Sequence, residues 1–172
     1  MPIATPFDGA AVRVLTFKDG FLSGVAHDLE LGLDRFRIEW DFRHVSATFD
    51  TRSLRVLHAV VSGRPAPDAL SARDRGKIEQ TIAADVLLTT RHPEARFESA
   101  SVEAEGDGFV VRGTFTLAGG RQEVSAHVRR EGARYTSELV LDQRGFGITP
   151  YSAMLGTLKL KPEVRVHISV PV

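Results

Sequence analysis

The chain has 172 residues, 22 basic against 22 acidic side chains, and no cysteine. That length suits one domain, residues 1–172, with a core large enough to need neither disulfide nor metal. Zero net charge, with no basic block longer than Arg129-Arg130, argues against nucleic-acid binding and an electrostatic membrane anchor, and the missing cysteines exclude thiolate chemistry and cysteine zinc sites.

The N-terminus, Met1 to Gly9, has no basic n-region and no apolar h-region. The expectation is a cytoplasmic chain, or a periplasmic one if a leader has been removed. No apolar run reaches the roughly 18 residues that a spanning helix requires.

Lys18-Asp19-Gly20 signals a turn. A long alternating row follows: Phe21, Ser23, Val25, His27, Leu29, Leu31 and Leu33 share one face. His27 therefore points to the apolar side, either as a core histidine satisfied by a carbonyl or water or as a polar contact for a ligand head group. Asp28 beside it points to the opposite face, so the two form no dyad by adjacency. Phe36, Ile38, Trp40 and Phe42 alternate with Arg35, Arg37, Glu39 and Asp41, and Val45, Ala47 and Phe49 continue the pattern.

Residues 62 to 93 break the alternation. They begin Ser62-Gly-Arg-Pro-Ala-Pro and end His92-Pro93. Ser71 and Asp74 have the spacing of an acidic capping box, and Ile78, Ile82 and Val86 recur every four residues. Gly76 weakens a helix here by about 1 kcal/mol relative to alanine. The spacing predicts a short or broken helix within 70–90, forming a lid over one end of the domain. Arg73, Asp74, Arg75 and Lys77 cluster at its start. They read either as a solvated helix face or as a basic rim for an anionic head group.

From residue 95 onward the chain is almost entirely alternating. Phe109, Val111, Gly113, Phe115 and Leu117 form one row; Val124, Ala126 and Val128 another; Tyr135, Ser137, Leu139 and Leu141 a third. Gly106-Asp107-Gly108, Gly119-Gly120 and Glu131-Gly132 are hairpin signals between them. Gly145 to Gly156 is apolar and glycine-rich, either a corner packing Phe146, Ile148 and Leu155 or a flexible entrance that includes Met154. Val164, Val166, Ile168, Val170 and Val172 form the last inward row. Some eight to ten strands in consecutive hairpins, each with one apolar face, suit an all-β, antiparallel up-and-down barrel.

Catalytic signals are weak. His44, His127 and His167 fall on polar faces, and no spaced metal-ligand motif, nucleophile elbow, phosphate loop or dinucleotide fingerprint occurs. Neither a metal nor a cofactor is expected.

The order and spacing of several segments resemble the YceI-like family. Arg73-Asp74, Asp85-Val-Leu, and Arg91-His-Pro-Glu-Ala-Arg-Phe97-Glu-Ser are similar to that family's helix and the strand after it. Val111-x-Gly113-x-Phe-Thr-Leu117-x-Gly119 and Asp142-x-x-x-Phe146-Gly-Ile148 are similar to its later strand and turn. The resemblance implies a lipocalin-like barrel of about eight strands, holding a polyisoprenoid or quinone-like lipid. The residues then expected around that lipid are His27, Phe36, Ile38, Trp40, Phe42, Ile78, Ile82, Leu87, Phe97, Phe115, Leu139, Phe146 and Met154, with Arg73 and Asp74 at the head group. Two other readings stand beside it: a solidly packed barrel that docks a protein partner, and a small-molecule enzyme using His27 and a lumen carboxylate. A homodimer stays open.

Overall fold

The computed structural model describes residues 1–19, 27–153 and 158–172. Among them are thirteen strand segments in one antiparallel sheet. They are β1 (Ile3–Ala4), β2 (Ala11–Asp19), β3 (Asp28–Leu33), β4 (Phe36–Trp40), β5 (Val45–Asp50), β6 (Leu54–Val61), β7 (Arg64–Ala66), β8 (Glu94–Glu105), β9 (Gly108–Leu117), β10 (Gly120–Glu131), β11 (Arg134–Asp142), β12 (Ser152–Ala153) and β13 (Leu158–Pro171).

Thirteen segments are more than the eight or so that the sequence suggests, and bending explains most of the difference. β3 and β4 are one long strand bent at Asp34 and Arg35; β5 and β6 are another, bent at the 3-10 turn Thr51–Ser53. Hydrogen bonds from Asp34 N to Ser53 O (3.1 Å) and from Asp50 N to Arg35 O (3.0 Å) carry the ladder through both bends. The fully buried Ser53 hydroxyl accepts from Arg35 N and donates to Asp50 O, tying the bend together.

Counted as continuous strands, the pairings return to their start. β8, β9, β10, β11, β13 and β2 follow one another, β2 pairs with β3, the long hairpin pairs β3 with β6 and β4 with β5, and β5 pairs back with β8. That ring has eight members, the lipocalin-like up-and-down arrangement. The short β1, β7 and β12 lie on β4, β6 and β13 and add the remaining segments.

Local chemistry sets the details. The β9–β10 hairpin turns at Ala118 (φ 50°) and Gly119 (φ 82°), a pair of left-handed residues as a two-residue turn requires. Ser62 and Gly63 do the same between β6 and β7, so the region that breaks the alternation begins as a hairpin. At Gly113 a side chain would collide with the Glu98 carbonyl and the Phe97 ring, so the missing Cβ lets Phe97 lie across β9.

The helix α1 (Ala72–Thr81) runs into a π-helical turn, Ile82–Val86. Its start carries the expected capping box: Asp74 N donates to Ser71 Oγ (3.1 Å) and Ser71 N to the Asp74 carboxylate. β8 pairs with β5 and not with β6, and α1 packs on β6 beyond the bend. Ile78 and Ile82 meet Leu29, Leu31, Val56 and Ala59, while Val86 and Leu87 meet Leu141, Phe146 and Ile148. No helix among the described residues is long and apolar enough to cross a membrane.

Candidate functional site: the barrel lumen

The inward rows enclose a cavity of about 600 Å³, within the range of small-molecule sites. Every strand of the ring contributes: Val14, Leu29, Ala47, Val111, Val124, Leu139 and Val166 are examples from seven of them. The period-2 pattern causes this directly, because alternate residues of a closed sheet face its interior.

Strand directions give the cavity two ends. At one end lie the β4–β5 turn with Trp40, Asp41 and Phe42, together with Phe109 and Tyr135. Phe42 stacks on Phe109 (5.6 Å between ring centroids) and Phe109 on Tyr135 (6.0 Å), an aromatic chain across that end. At the other end lie His27, Thr16, Gln143 and Tyr151, with Lys77 and Thr81 from α1.

The sequence-selected residues divide into three sets. His27, Ile38, Trp40, Phe42, Ile78, Ile82, Leu87, Phe97, Phe115 and Leu139 all line the cavity. Phe36 and Phe146 do not: both are buried in the wall, Phe36 against Phe49 and Phe146 behind Phe115. Met154 and the row from Phe21 to Val25 lie outside the described residues, as does the Gly20 turn. Phe42 differs in degree, since it sits beyond the end of β4 and is 70 % exposed while still reaching the cavity. Val172 likewise falls past the end of β13 and is exposed instead of inward.

Arg73 and Asp74 are exposed and stand one turn before Lys77 and Ile78, where α1 first reaches the cavity. The Ser71 hydroxyl, then the Ser71 backbone N–H, hold the Asp74 carboxyl below the usual carboxylate range. Helix capping thus accounts for that residue without a ligand.

Sequence reading passed over several wall residues. Phe49 ends the row Val45-Ala47-Phe49; its ring meets Phe115 edge-on at 6.1 Å, over the small Ala95 between them on β8. β2 was harder to read, because Leu15 and Phe17 on its outer face are as apolar as Val12, Val14 and Thr16 on its inner face. Arg165 covers the Phe17 ring at 5.4 Å from outside.

The lumen is poor in charge. Its carboxylate, Asp41, accepts from the backbone N–H groups of Arg43 (2.7 Å) and His44 (2.8 Å), and these bonds, that from Arg43 foremost, hold its pKa below the usual value. It stands at the end opposite His27. No group of three or more metal-ligating side chains occurs among the described residues.

A family model, the YceI-like domain, matches residues 15–172. The chain belongs to the YceI-like family. Solved structures agree on the fold. BcnA of Burkholderia cenocepacia is similar over 98% of this chain and 99% of that one, with 17% identity and a TM-score of 0.68. A polyisoprenoid-binding domain from Saccharophagus degradans, implicated in plant cell wall breakdown, is similar over 98% and 95% with 10% identity and a TM-score of 0.59. The Campylobacter jejuni YCEI protein is similar over 84% of both chains with 11% identity and a TM-score of 0.59. At these identities the likeness speaks for the fold alone. Among curated proteins, no relative matches.

Proposed function

We propose that this YceI-like barrel binds and carries a long apolar lipid of the isoprenoid class, quinones included, in its lumen. The observation that carries this reading is the cavity of about 600 Å³ whose wall is almost wholly aliphatic and aromatic. Burying about 300 Å² of apolar chain at roughly 25 cal/mol/Å² is worth on the order of 7 kcal/mol before association costs. That is a large share of the gross interaction energy that lipid binding requires, supplied by shape and hydrophobicity alone.

The description of the Saccharophagus neighbour as a polyisoprenoid-binding domain supports the same ligand class for this chain. A packed interaction module would need the lumen filled by side chains, and the cavity weighs against that. An enzyme using His27 would need a second group beside it, yet the lumen carboxylate, Asp41, lies at the far end and is already tied to two backbone N–H groups.

The test is mass spectrometry of an organic extract from protein purified under native conditions, followed by titration of the delipidated protein. A prenyl lipid in stoichiometric amount is the expected result. Absence of any lipid, together with no change in melting temperature on adding short-chain isoprenoids, would overturn the reading.

A further inference from the structure

The cavity wall carries a polar pair at the His27 end, and one member is orphaned. Thr16 is 8 % exposed and continues the inner face of β2 after Val12 and Val14. Its Oγ1 is buried and finds no hydrogen-bond partner among the described residues. Three other buried residues have satisfied hydroxyls: Thr51 donates to His92 O (2.8 Å), Ser137 to His127 O (2.9 Å) and Ser53 to Asp50 O (2.8 Å).

A buried hydroxyl without a partner destabilises the fold, and a valine would fill the same space without that penalty. Across the sheet Thr16 stands opposite Leu29. His27, two residues before Leu29, also lines the cavity, which makes it the diagonal neighbour of Thr16 on the inner face, at about 7–8 Å between backbones. One ligand atom can reach both side chains at that spacing.

Building on the lipid-carrier reading, we propose that Thr16 and His27 form the head-group site, and that it selects a neutral oxygen: a hydroxyl or a carbonyl at the end of the apolar chain. Both side chains can donate or accept, so either oxygen type is matched. Charge decides against an anionic head. Apart from His27, the charged side chains on the described cavity wall are Asp41, at the other end, and the exposed Lys77. A pyrophosphate drawn in beside Thr16 would lose its hydration for a single cation.

Farnesol, farnesene and farnesyl pyrophosphate share one prenyl chain and differ in the head, so they separate the terms. Titration calorimetry of the delipidated full chain should give farnesol about tenfold tighter than farnesene, the scale of one buried hydrogen bond, and the pyrophosphate no tighter than farnesene. In Thr16→Val the farnesol preference should vanish while farnesene binds within about twofold of wild type; Thr16→Ser should keep the preference. Equal binding of farnesol and farnesene by wild type, a preference surviving in Thr16→Val, or tightest binding of the pyrophosphate would each overturn the head-group site and leave the lipid-carrier reading standing. If none of the three binds, the carrier reading falls and the head-group site with it. Should Thr16→Val not fold, the wild-type series and Thr16→Ser decide alone.

Discussion

Phe115 meets Phe146 edge-on, with ring centroids 5.6 Å apart and planes at 83°. Phe115 faces the lumen and Phe146, 2 % exposed, sits behind it in the 3-10 turn Gln143–Phe146. Phe146→Ala removes support behind the wall, and about 3–5 kcal/mol of stability should be lost, measured by urea unfolding. A loss below about 1 kcal/mol would mean that the wall does not depend on this ring.

The bend in the long hairpin is pinned by charge. Asp50 pairs with Arg52 (3.0 Å) and Arg35 (3.0 Å) and also accepts from Arg52 N. These contacts, the Arg52 side chain first, lower its pKa from 3.8 to about 2. A carboxyl whose folded pKa is depressed stabilises the fold above its unfolded value, and that contribution is lost as pH falls from about 4 to about 2. Asp50→Asn should therefore lower stability by about 1–2 kcal/mol at pH 7 and by much less near pH 2. Unfolding curves at both pH values for both proteins give the comparison; equal differences at the two pH values would discount the pairing.

How legible this was in the sequence depends on where a strand ends. Rows such as Val124-Ala126-Val128 alternate cleanly because their outer partners are polar, and the structure places all three on the cavity wall. The capping box at Ser71 and Asp74 was equally readable, because it depends on residues three apart. The bends at Asp34–Arg35 and Thr51–Ser53 were not, because they preserve alternation on either side and are fixed by the contact of Ser53 with Arg35, eighteen positions away. Phe36 fails as a wall residue for a related reason. It has the right parity, but it sits next to the bend and packs into the wall beside Phe49. Thr16 was hidden by Leu15 and Phe17, whose burial of the outer face erases the contrast that parity relies on.

The helix makes a separable contribution. Ile78 from α1 and Ile82 from the π-helical turn reach the cavity and are half-buried against Leu29, Leu31, Val56 and Ala59. Changing both to Asp places charge on the cavity wall, where a lipid in the lumen would meet the helix. Release of bound lipid should accelerate by about tenfold or more, with a smaller proportional loss of stability than Phe146→Ala causes. Stopped-flow transfer of a fluorescent prenol to acceptor vesicles measures the release. An unchanged rate in a folded double mutant would show that α1 does not hold the ligand in.

Trp40 offers a test of which way a lipid in the lumen would point. It is the sole tryptophan, it is half-buried on the cavity wall, and it pairs with Val45 at the end away from Thr16. From Leu29, opposite Thr16, to Trp40 the bent strand runs eleven steps, at most roughly 36 Å at about 3.3 Å per residue. An oxygen head held at Thr16 and His27 places the far end of the chain toward the indole. A long-chain alcohol brominated at its far end should then quench Trp40 saturably, by heavy-atom contact. A short-chain ubiquinone, its ring at Thr16, should quench it far less after correction for absorption, because electron transfer from an indole falls steeply with distance. Trp40→Phe removes the signal and supplies the blank. Strong quenching by the quinone with none from the bromine would reverse the lipid, putting its head beside Phe42, Phe109 and Tyr135 and leaving the Thr16 hydroxyl against the tail.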